Sequence, residues 1–399
     1  MSLRAALAAP LLLATFVAQA QVPAGLPTAA PAYREGAPFT PQTNLAAPIA
    51  YLIDLGSGRV LFEREPRRRF LPASLTKIMT AYVAFELMQA GRIQPNQRFA
   101  MSDGAFKQWH RVGSTMFLGR GQVVSVDELL TGIMTVSAND GCIVLAEGAS
   151  GSVGAFVTLM NAEASKLGMA DSHFGSPNGW PDQGATYTSA RDLAILTRAI
   201  LTRHPAYYRH YVGHPGMTFN GISQNNHVPL FGRVAGADGV KTGFTNESGY
   251  GLVGSAVRGG RRLVMVVGGY DRAWQRARES RALLEWGFSA WQTRKLFAAG
   301  ATVAEAQVQG GAVRQVPLVA PLSYYVTYPA STAAPRVSLS VRYEGPLRAP
   351  LTKGAEVAAL RVSTPGEPPR DLPLLAGAST ATAGPLARLR NGLFGLVGL

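Results

Sequence analysis

The chain has 399 residues and a mass of 42.2 kDa, more than one ordinary hydrophobic core serves, so a single small domain is excluded and two or three are expected. With 47% hydrophobic and 16% charged residues, and with 44 Gly and 26 Pro in no collagen-like period, the composition is that of a globular protein rather than a disordered or fibrous one. A formal net charge of +14 points to an anionic partner such as nucleic acid, a lipid headgroup or an acidic polymer.

Residues 1–20 carry one basic residue (Arg4), an apolar run from Ala5 to Val17, and Ala18-Gln19-Ala20 ahead of Gln21. This is the layout of a secretory signal with a small-x-small cleavage site. The run is broken by Pro10 and is shorter than the roughly 20 residues a spanning helix needs, so export and removal are expected rather than an uncleaved anchor. Export, and the lack of basic clusters interleaved with aromatics, leaves no expectation of nucleic acid as a partner. The run Arg67-Arg68-Arg69 reads as a solvated loop. Residues 21–42 hold prolines at 23, 27, 31, 38 and 41 and read as an extended linker.

Residues 50–54 and 59–63 flank Gly56-Ser57-Gly58 and predict a hairpin. A helix is predicted over 74–89, entered through Pro72 and ended by Gly91, and further helices over 126–134, 139–148, 153–167 and 190–202. The period then switches to strand: 249–258 and 261–268 flank Gly259-Gly260, a strong hairpin signal, and a helical segment over 273–288 follows. Strand, many helices and strands again predict one α/β domain over 43–293 whose sheet draws on both ends of its sequence. From 294 the pattern is strand-like, with Val337, Leu339, Val341 and Tyr343 alternating with polar residues, so 294–376 is expected to be a small all-β domain. Residues 377–399 are read as a linker and an amphipathic segment. Its stripe of Leu386, Leu389, Leu393, Phe394, Leu396 and Val397 suits the surface of a membrane, although Arg390 interrupts it. A free tail and a helix docked on the β domain are the alternatives.

Only six of the 38 basic residues are lysines, at 77, 107, 166, 241, 295 and 353. Lys77 alone has a serine three residues before it, in Ser74-Leu75-Thr76-Lys77, and i, i+3 neighbours share a helix face. A serine needs a base to become a nucleophile. Lysine serves when apolar surroundings such as Leu75, Ile78 and Met79 lower its pKa; arginine cannot. A second cue is Lys241-Thr242-Gly243, where the amine and hydroxyl offer a carboxylate site and Gly243 admits a substrate backbone. A third is Ser-x-Asn, present at 137–139, 176–178 and 223–225. The last two read as a turn and a polar loop; Ser137-Ala138-Asn139 lies between two apolar stretches, with Asn139 or Asp140 as the helix N-cap.

Taken together, Ser74/Lys77, Ser137/Asn139 and Lys241/Thr242/Gly243 resemble the motif set of the penicillin-recognising serine enzymes. The surrounding stretches, including Thr188-Ser189-Ala190-Arg191-Asp192 and Gly239-Val240-Lys241-Thr242-Gly243-Phe244-Thr245, resemble the D-alanyl-D-alanine carboxypeptidases, the low-molecular-mass penicillin-binding proteins. That resemblance implies an antiparallel sheet flanked by helices and a small all-β C-terminal domain. It further implies acyl transfer to Ser74 with Lys77 as base, and an oxyanion hole from the backbone N–H groups of Ser74 and Phe244. Ser137 would relay a proton to the leaving D-alanine, Asn139 hold the substrate amide, and Lys241 with Thr242 hold the terminal carboxylate. The implied substrates are peptidoglycan pentapeptide stems, with β-lactams as covalent ligands at Ser74 and no metal or organic cofactor. The implied location is the periplasm, on the outer face of the inner membrane through the C-terminal segment.

Competing readings fit less well. A class A β-lactamase needs a glutamate between the second and third motifs to activate water, but Glu147 and Glu163 fall in predicted helices. No Gly-x-Ser-x-Gly is present for an α/β-hydrolase. His204, His210 and His214 are separated by Pro205 and Gly213 and read as loop histidines rather than a metal cluster. Cys142, the sole cysteine, allows no intramolecular disulfide or zinc site and reads as a buried inert thiol. A non-catalytic wall-binding protein with the same fold remains the alternative from outside enzymology.

Overall fold

The computed structural model describes residues 39–384. The signal segment (1–20), most of the linker and the amphipathic segment lie outside the described residues.

A helical turn, α1 (Pro41–Asn44), precedes the hairpin β1 (Ile49–Asp54) and β2 (Arg59–Arg64). A 3-10 turn, Ala73–Thr76, then runs straight into α2 (Lys77–Gln89). Strands β3 (Arg98–Ala100) and β4 (Val123–Ser125) bracket α3 (Asp103–Trp109), and α4 (Val126–Thr135), α5 (Asn139–Ser150), α6 (Val153–Lys166), α7 (Ala190–Arg203) and α8 (Pro205–Tyr211) follow. An outlying hairpin, β5 (Gly216–Phe219) and β6 (Ile222–Asn225), leads to β7 (Ala237–Thr245), β8 (Gly249–Arg258), β9 (Arg261–Tyr270) and α9 (Ala273–Ser289).

The central sheet has the order β2-β1-β9-β8-β7, all antiparallel, so its strands come from both ends of the domain. On one face Tyr51, Val253, Val264 and Val266 meet helical side chains such as Leu75, Met79 and Leu196. On the other, Leu52, Leu252, Leu263 and Met265 meet Leu283 and Leu284 of α9. Helix α2 has no polar face: every residue from Lys77 to Phe85 is buried. A helix apolar all round belongs in the centre of a core, and its first residue is therefore a buried lysine. The helix expected from 74 begins at Lys77; the serine sits one tighter turn earlier.

The C-terminal part starts with β10 (Trp291–Phe297), one residue after α9 and its C-cap Ala290, rather than at 294. It continues with β11 (Thr302–Gln309), β12 (Gln315–Val319), β13 (Tyr324–Pro329), β14 (Ser338–Arg342), β15 (Leu347–Arg348), β16 (Glu356–Ser363) and β17 (Arg370–Ala376). Strand β10 pairs with β13, and the remaining six form a sheet ordered β14-β16-β17-β12-β11-β15 around a core including Val316, Leu318, Tyr324, Leu360 and Leu374. Pairing runs past 376, since Thr380 bridges Leu351 and Thr382 bridges Gly311; residues 377–382 therefore belong to the domain and not to a linker. Leu339 is exposed because β14 is an edge strand.

The two domains are fastened at the tip of the β1–β2 hairpin. The fully buried Asp54 carboxylate accepts from Arg261 Nε at 2.7 Å, Thr327 Oγ1 at 2.9 Å, and the N–H groups of Gly56 and Ser57. Tyr325 N donates to Gly56 O at 2.8 Å, and a Cβ at Gly56 would lie 2.6 Å from Ser323 O, so only glycine permits this approach. A buried charge is tolerated where it is paired and its lone pairs are filled, as they are here.

Candidate active site

Ser74 stands in the 3-10 turn whose first residue, Ala73, has φ +49. A non-glycine residue in the left-handed region is strained by about 1–3 kcal/mol and persists where its surroundings hold it. They do: Gly179, at φ +74, packs so closely that its Cβ would fall 1.8 Å from Ala73 O.

Lys77 Nζ has three partners in hydrogen-bond range: Ser74 Oγ at 2.8 Å, Asn139 Oδ1 at 2.8 Å and Asn178 O at 2.7 Å. The last two are carbonyl oxygens that only accept, so they fix two of the amine's N–H bonds. The third direction points at the serine hydroxyl, where an ammonium donates and a neutral amine accepts. Burial lowers the Lys77 pKa to about 8, against an ordinary value near 10.4. The nearby Cys142 thiol, pushed up to about 12 by the same burial, is protonated at neutral pH. Asp140 is the remaining acid that favours the ammonium.

Ser137 is buried, takes φ +63, and its Oγ has no hydrogen-bond partner among the described residues. A buried hydroxyl left without a partner costs roughly 1–3 kcal/mol and marks a place where a ligand can supply the missing bond. Asn139 opens α5 instead of capping it; the N-cap is Ala138, without a side-chain cap bond. The amide of Asn139 is committed to Lys77 and Val112 O, and the carboxylate of Asp140 accepts from Met116 N and Leu118 N. The expected capping side chains are thus drawn into tertiary contacts.

Strand β7 forms the opposite wall. It is an edge strand, and a Cβ at Gly243 would lie 2.6 Å from Pro72 O and 3.0 Å from Leu75 Cγ. The glycine is therefore needed for the strand to lie against the Ser74 turn, a tighter reason than the substrate approach expected from sequence. Lys241 is buried and donates to Thr242 O at 3.0 Å. No carboxylate lies within ion-pair distance of it among the described residues. Burial holds its pKa well below the ordinary lysine value, with Lys77 and Arg276 lowering it further. Phe244 is 46% exposed and stacks on Tyr250 with ring centroids 4.1 Å apart.

Three groups were not legible as site residues. Arg276 of α9, with its guanidinium 5.5 Å from the Tyr250 ring, is buried, acts on Lys241 electrostatically, and also has no ion-pair partner among the described residues. A buried guanidinium and a buried lysine amine without ion pairs form a place where a bound anion would be stabilised. One arginine among 32 gave no signal of this. Asn178 contributes a backbone carbonyl, which residue type does not reveal, and the Ser176-Pro177-Asn178-Gly179 turn proves to be a wall of the site. Trp180 is 42% exposed and packs edge-to-face on Trp109; its ring lies 2.9 Å from where a Gly113 Cβ would be.

Other candidates lie elsewhere. Ser223 and Asn225 are in the outlying hairpin. Glu147 and Glu163 are in α5 and α6. Asp182 accepts from Thr186 N and Oγ1 within its own loop. His204 corrects the expectation of loop histidines: it is 3% exposed, with Nε2 2.7 Å from Glu86 Oε1 and its ring against Tyr82. His210 lies in α8, paired with Asp127 at 2.8 Å.

A serine on a tight turn, a desolvated lysine bound to it and an unpaired cationic wall define a serine acyl-transfer enzyme that takes an anionic substrate. Comparison with known proteins narrows this. Residues 36–271 match the family described as D-alanyl-D-alanine carboxypeptidase, and residues 291–381 match the penicillin-binding protein 5 C-terminal domain. The chain belongs to the D-alanyl-D-alanine carboxypeptidase family of serine peptidases. It is similar to D-alanyl-D-alanine carboxypeptidase DacA of Haemophilus influenzae, at 36% identity over 78% of this chain and 79% of that one. The structure resembles penicillin binding protein 5 from Haemophilus influenzae, with a TM-score of 0.66 and 33% identity over 84% of this chain and 97% of that one. It also resembles penicillin-binding protein D2 of Listeria monocytogenes in its ampicillin-bound form, with a TM-score of 0.53 and 29% identity over 61% and 97%.

Proposed function

We propose that this protein removes the terminal D-alanine from peptidoglycan stem peptides through an acyl-enzyme on Ser74, and that β-lactams acylate the same oxygen. The observation that carries the reading is the Lys77 amine, desolvated, fixed by two carbonyl acceptors and aimed at Ser74 Oγ.

In this mechanism neutral Lys77 takes the Ser74 proton as Oγ attacks the carbonyl carbon between the two D-alanines. The oxyanion develops toward the backbone N–H groups of Ser74 and Phe244, a type of donor whose loss costs roughly 100- to 1000-fold in rate. Asn139 holds the substrate amide, and Lys241, Thr242 and Arg276 receive the terminal carboxylate, whose charge favours the protonated form of the buried Lys241 amine. The unpartnered Ser137 hydroxyl relays the proton, donating its own to the leaving D-alanine nitrogen as it takes one from the Lys77 ammonium, which returns the amine to its neutral form. Water then attacks the ester, Ser74 is regenerated, and the shortened peptide leaves. The same reading places the enzyme in the periplasm, exported by its first 20 residues and held by residues 386–399 on the outer face of the inner membrane.

The deciding experiment is labelling with a fluorescent penicillin, with Ser74→Ala alongside, together with release of free D-alanine from a D-Ala-D-Ala-ended peptide. Wild-type protein should label and release D-alanine, and the variant should do neither. Undiminished labelling of Ser74→Ala would remove the nucleophile assignment. Labelling without D-alanine release would favour a wall-binding acylation trap over a peptidase.

A further inference from the structure

The first turn of α5 grips one extended loop by its backbone, in alternation. Asn139 Nδ2 donates to Val112 O at 3.0 Å, and Asn139 N donates to Ser114 O at 2.7 Å. Asp140 then accepts, through Oδ1, from Met116 N at 3.0 Å and from Gly141 N at 2.9 Å, and through Oδ2 from Leu118 N at 3.0 Å. Residues 112, 114, 116 and 118 thus face the helix in turn, first as acceptors for an amide and then as donors to a carboxylate.

The loop needs such a grip, because Arg111, Gly113 and Phe117 have φ of +60, +64 and +60. Left-handed backbone at two non-glycine residues is held only by what surrounds it. Asp140 is fully buried, and that burial pushes its carboxyl above the ordinary carboxylate value, against the pull of the N–H groups of Leu118, Met116 and Gly141, which favour the anion. The loop in turn fixes the amide whose oxygen accepts from Lys77 Nζ.

We propose that Asp140 is a positioning residue of the reaction: its carboxylate clamps the 112–118 loop against α5 and thereby sets the place and orientation of Asn139 relative to Lys77 and Ser74. It touches no substrate. It also stands among the charged and titratable groups that face Lys77, which are Asp140 and Cys142 on α5 and Lys241 on β7. Cys142 is neutral, and Lys241, whose pKa burial holds well below the ordinary lysine value, brings no negative charge, so Asp140 is the acid that favours the Lys77 ammonium. Replacing it acts on both the geometry and the proton of the base.

The proposal rests on Ser74 being the acylated residue, and labelling of the wild-type protein tests that separately. With labelling wild-type enzyme in hand, second-order acylation by a chromogenic β-lactam is measured from pH 5 to 10 for wild type, Asp140→Asn, Asp140→Glu and Gly113→Ala, with the folded fraction of each set by thermal melting. Asp140→Asn turns a donor toward backbone donors and removes the anion. It should acylate at least tenfold more slowly at its pH optimum, with its rising limb moved to lower pH. Asp140→Glu keeps the charge but displaces the oxygens, so acylation should fall while the limb stays near the wild-type position. In Gly113→Ala the new Cβ meets Asn139 Nδ2 at 2.7 Å and the Trp180 ring at 2.9 Å; the rate should fall with no movement of the limb. Wild-type rates in Asp140→Glu, or an Asp140→Asn limb that does not move, would overturn the proposal. If Asp140→Asn does not fold, the pair Asp140→Glu and Gly113→Ala decides it, because wild-type acylation in either removes the clamp. A wild-type protein that fails to label refutes the nucleophile reading instead.

Discussion

The chemistry of the site turns on one proton. In the mechanism proposed above Lys77 acts as a base only when neutral, and burial brings its pKa to about 8, so acylation should rise with pH through that value. Below it the rate should fall by about tenfold per pH unit, as the neutral fraction does. A pH profile of β-lactam acylation measures this, and a rate flat between pH 6 and 9 would mean that another group takes the Ser74 proton. Lys77→Arg should be inactive at every pH, since a guanidinium stays charged. The closeness of Ser74 to Lys77 was legible in Ser74-Leu75-Thr76-Lys77, because a spacing of three also brings side chains together across a 3-10 turn that runs into a helix. The Asn178 carbonyl, the Arg276 cation and the Asp140 clamp were not. The first is backbone, the second is one arginine among many, and the third depends on a loop whose contacts are tertiary.

Elements meet at this site through glycines. The 176–180 turn, the Ser74 turn and β7 come together where a side chain would collide: Gly179 against Ala73 O, and Gly243 against Pro72 O and Leu75. Gly179→Ala carries both a collision with backbone and a left-handed φ, so it should withdraw the Asn178 carbonyl from Lys77. The expected result is a loss of acylation of at least 100-fold with a destabilisation of about 1–3 kcal/mol, read from labelling kinetics and urea melts. Near-normal acylation would show that the Asn178 carbonyl is dispensable. Long elements were readable in the sequence: α4, α5, α6, α7, α9, β8 and β9 fall within a few residues of their expected spans, because apolar periodicity over two or more turns leaves little freedom. The short α3 and α8 and the β5–β6 hairpin were not foreseen. Four to seven residues carry too little pattern, and packing on the core decides them.

For the whole molecule, the two-domain division was visible as a change of period near residue 294. Its borders were displaced because β10 follows α9 almost without a break and because residues 377–382 pair by backbone bridges that small side chains do not announce. Beyond them, the proposed membrane association has a direct check. Removing residues 385–399 should move the protein from the membrane to the soluble fraction while leaving penicillin labelling intact; unchanged membrane association would refute the tether.

The fastening at Asp54 bears on how such a tether would work. A hinge between domains would let the catalytic cleft sweep a wide shell of positions around its attachment point. Asp54, Arg261, Thr327 and the Gly56–Tyr325 bond make the β domain a strut instead. Whatever surface the β domain is held to, the cleft is then presented to that surface in one orientation, so that aiming the β domain also aims the site.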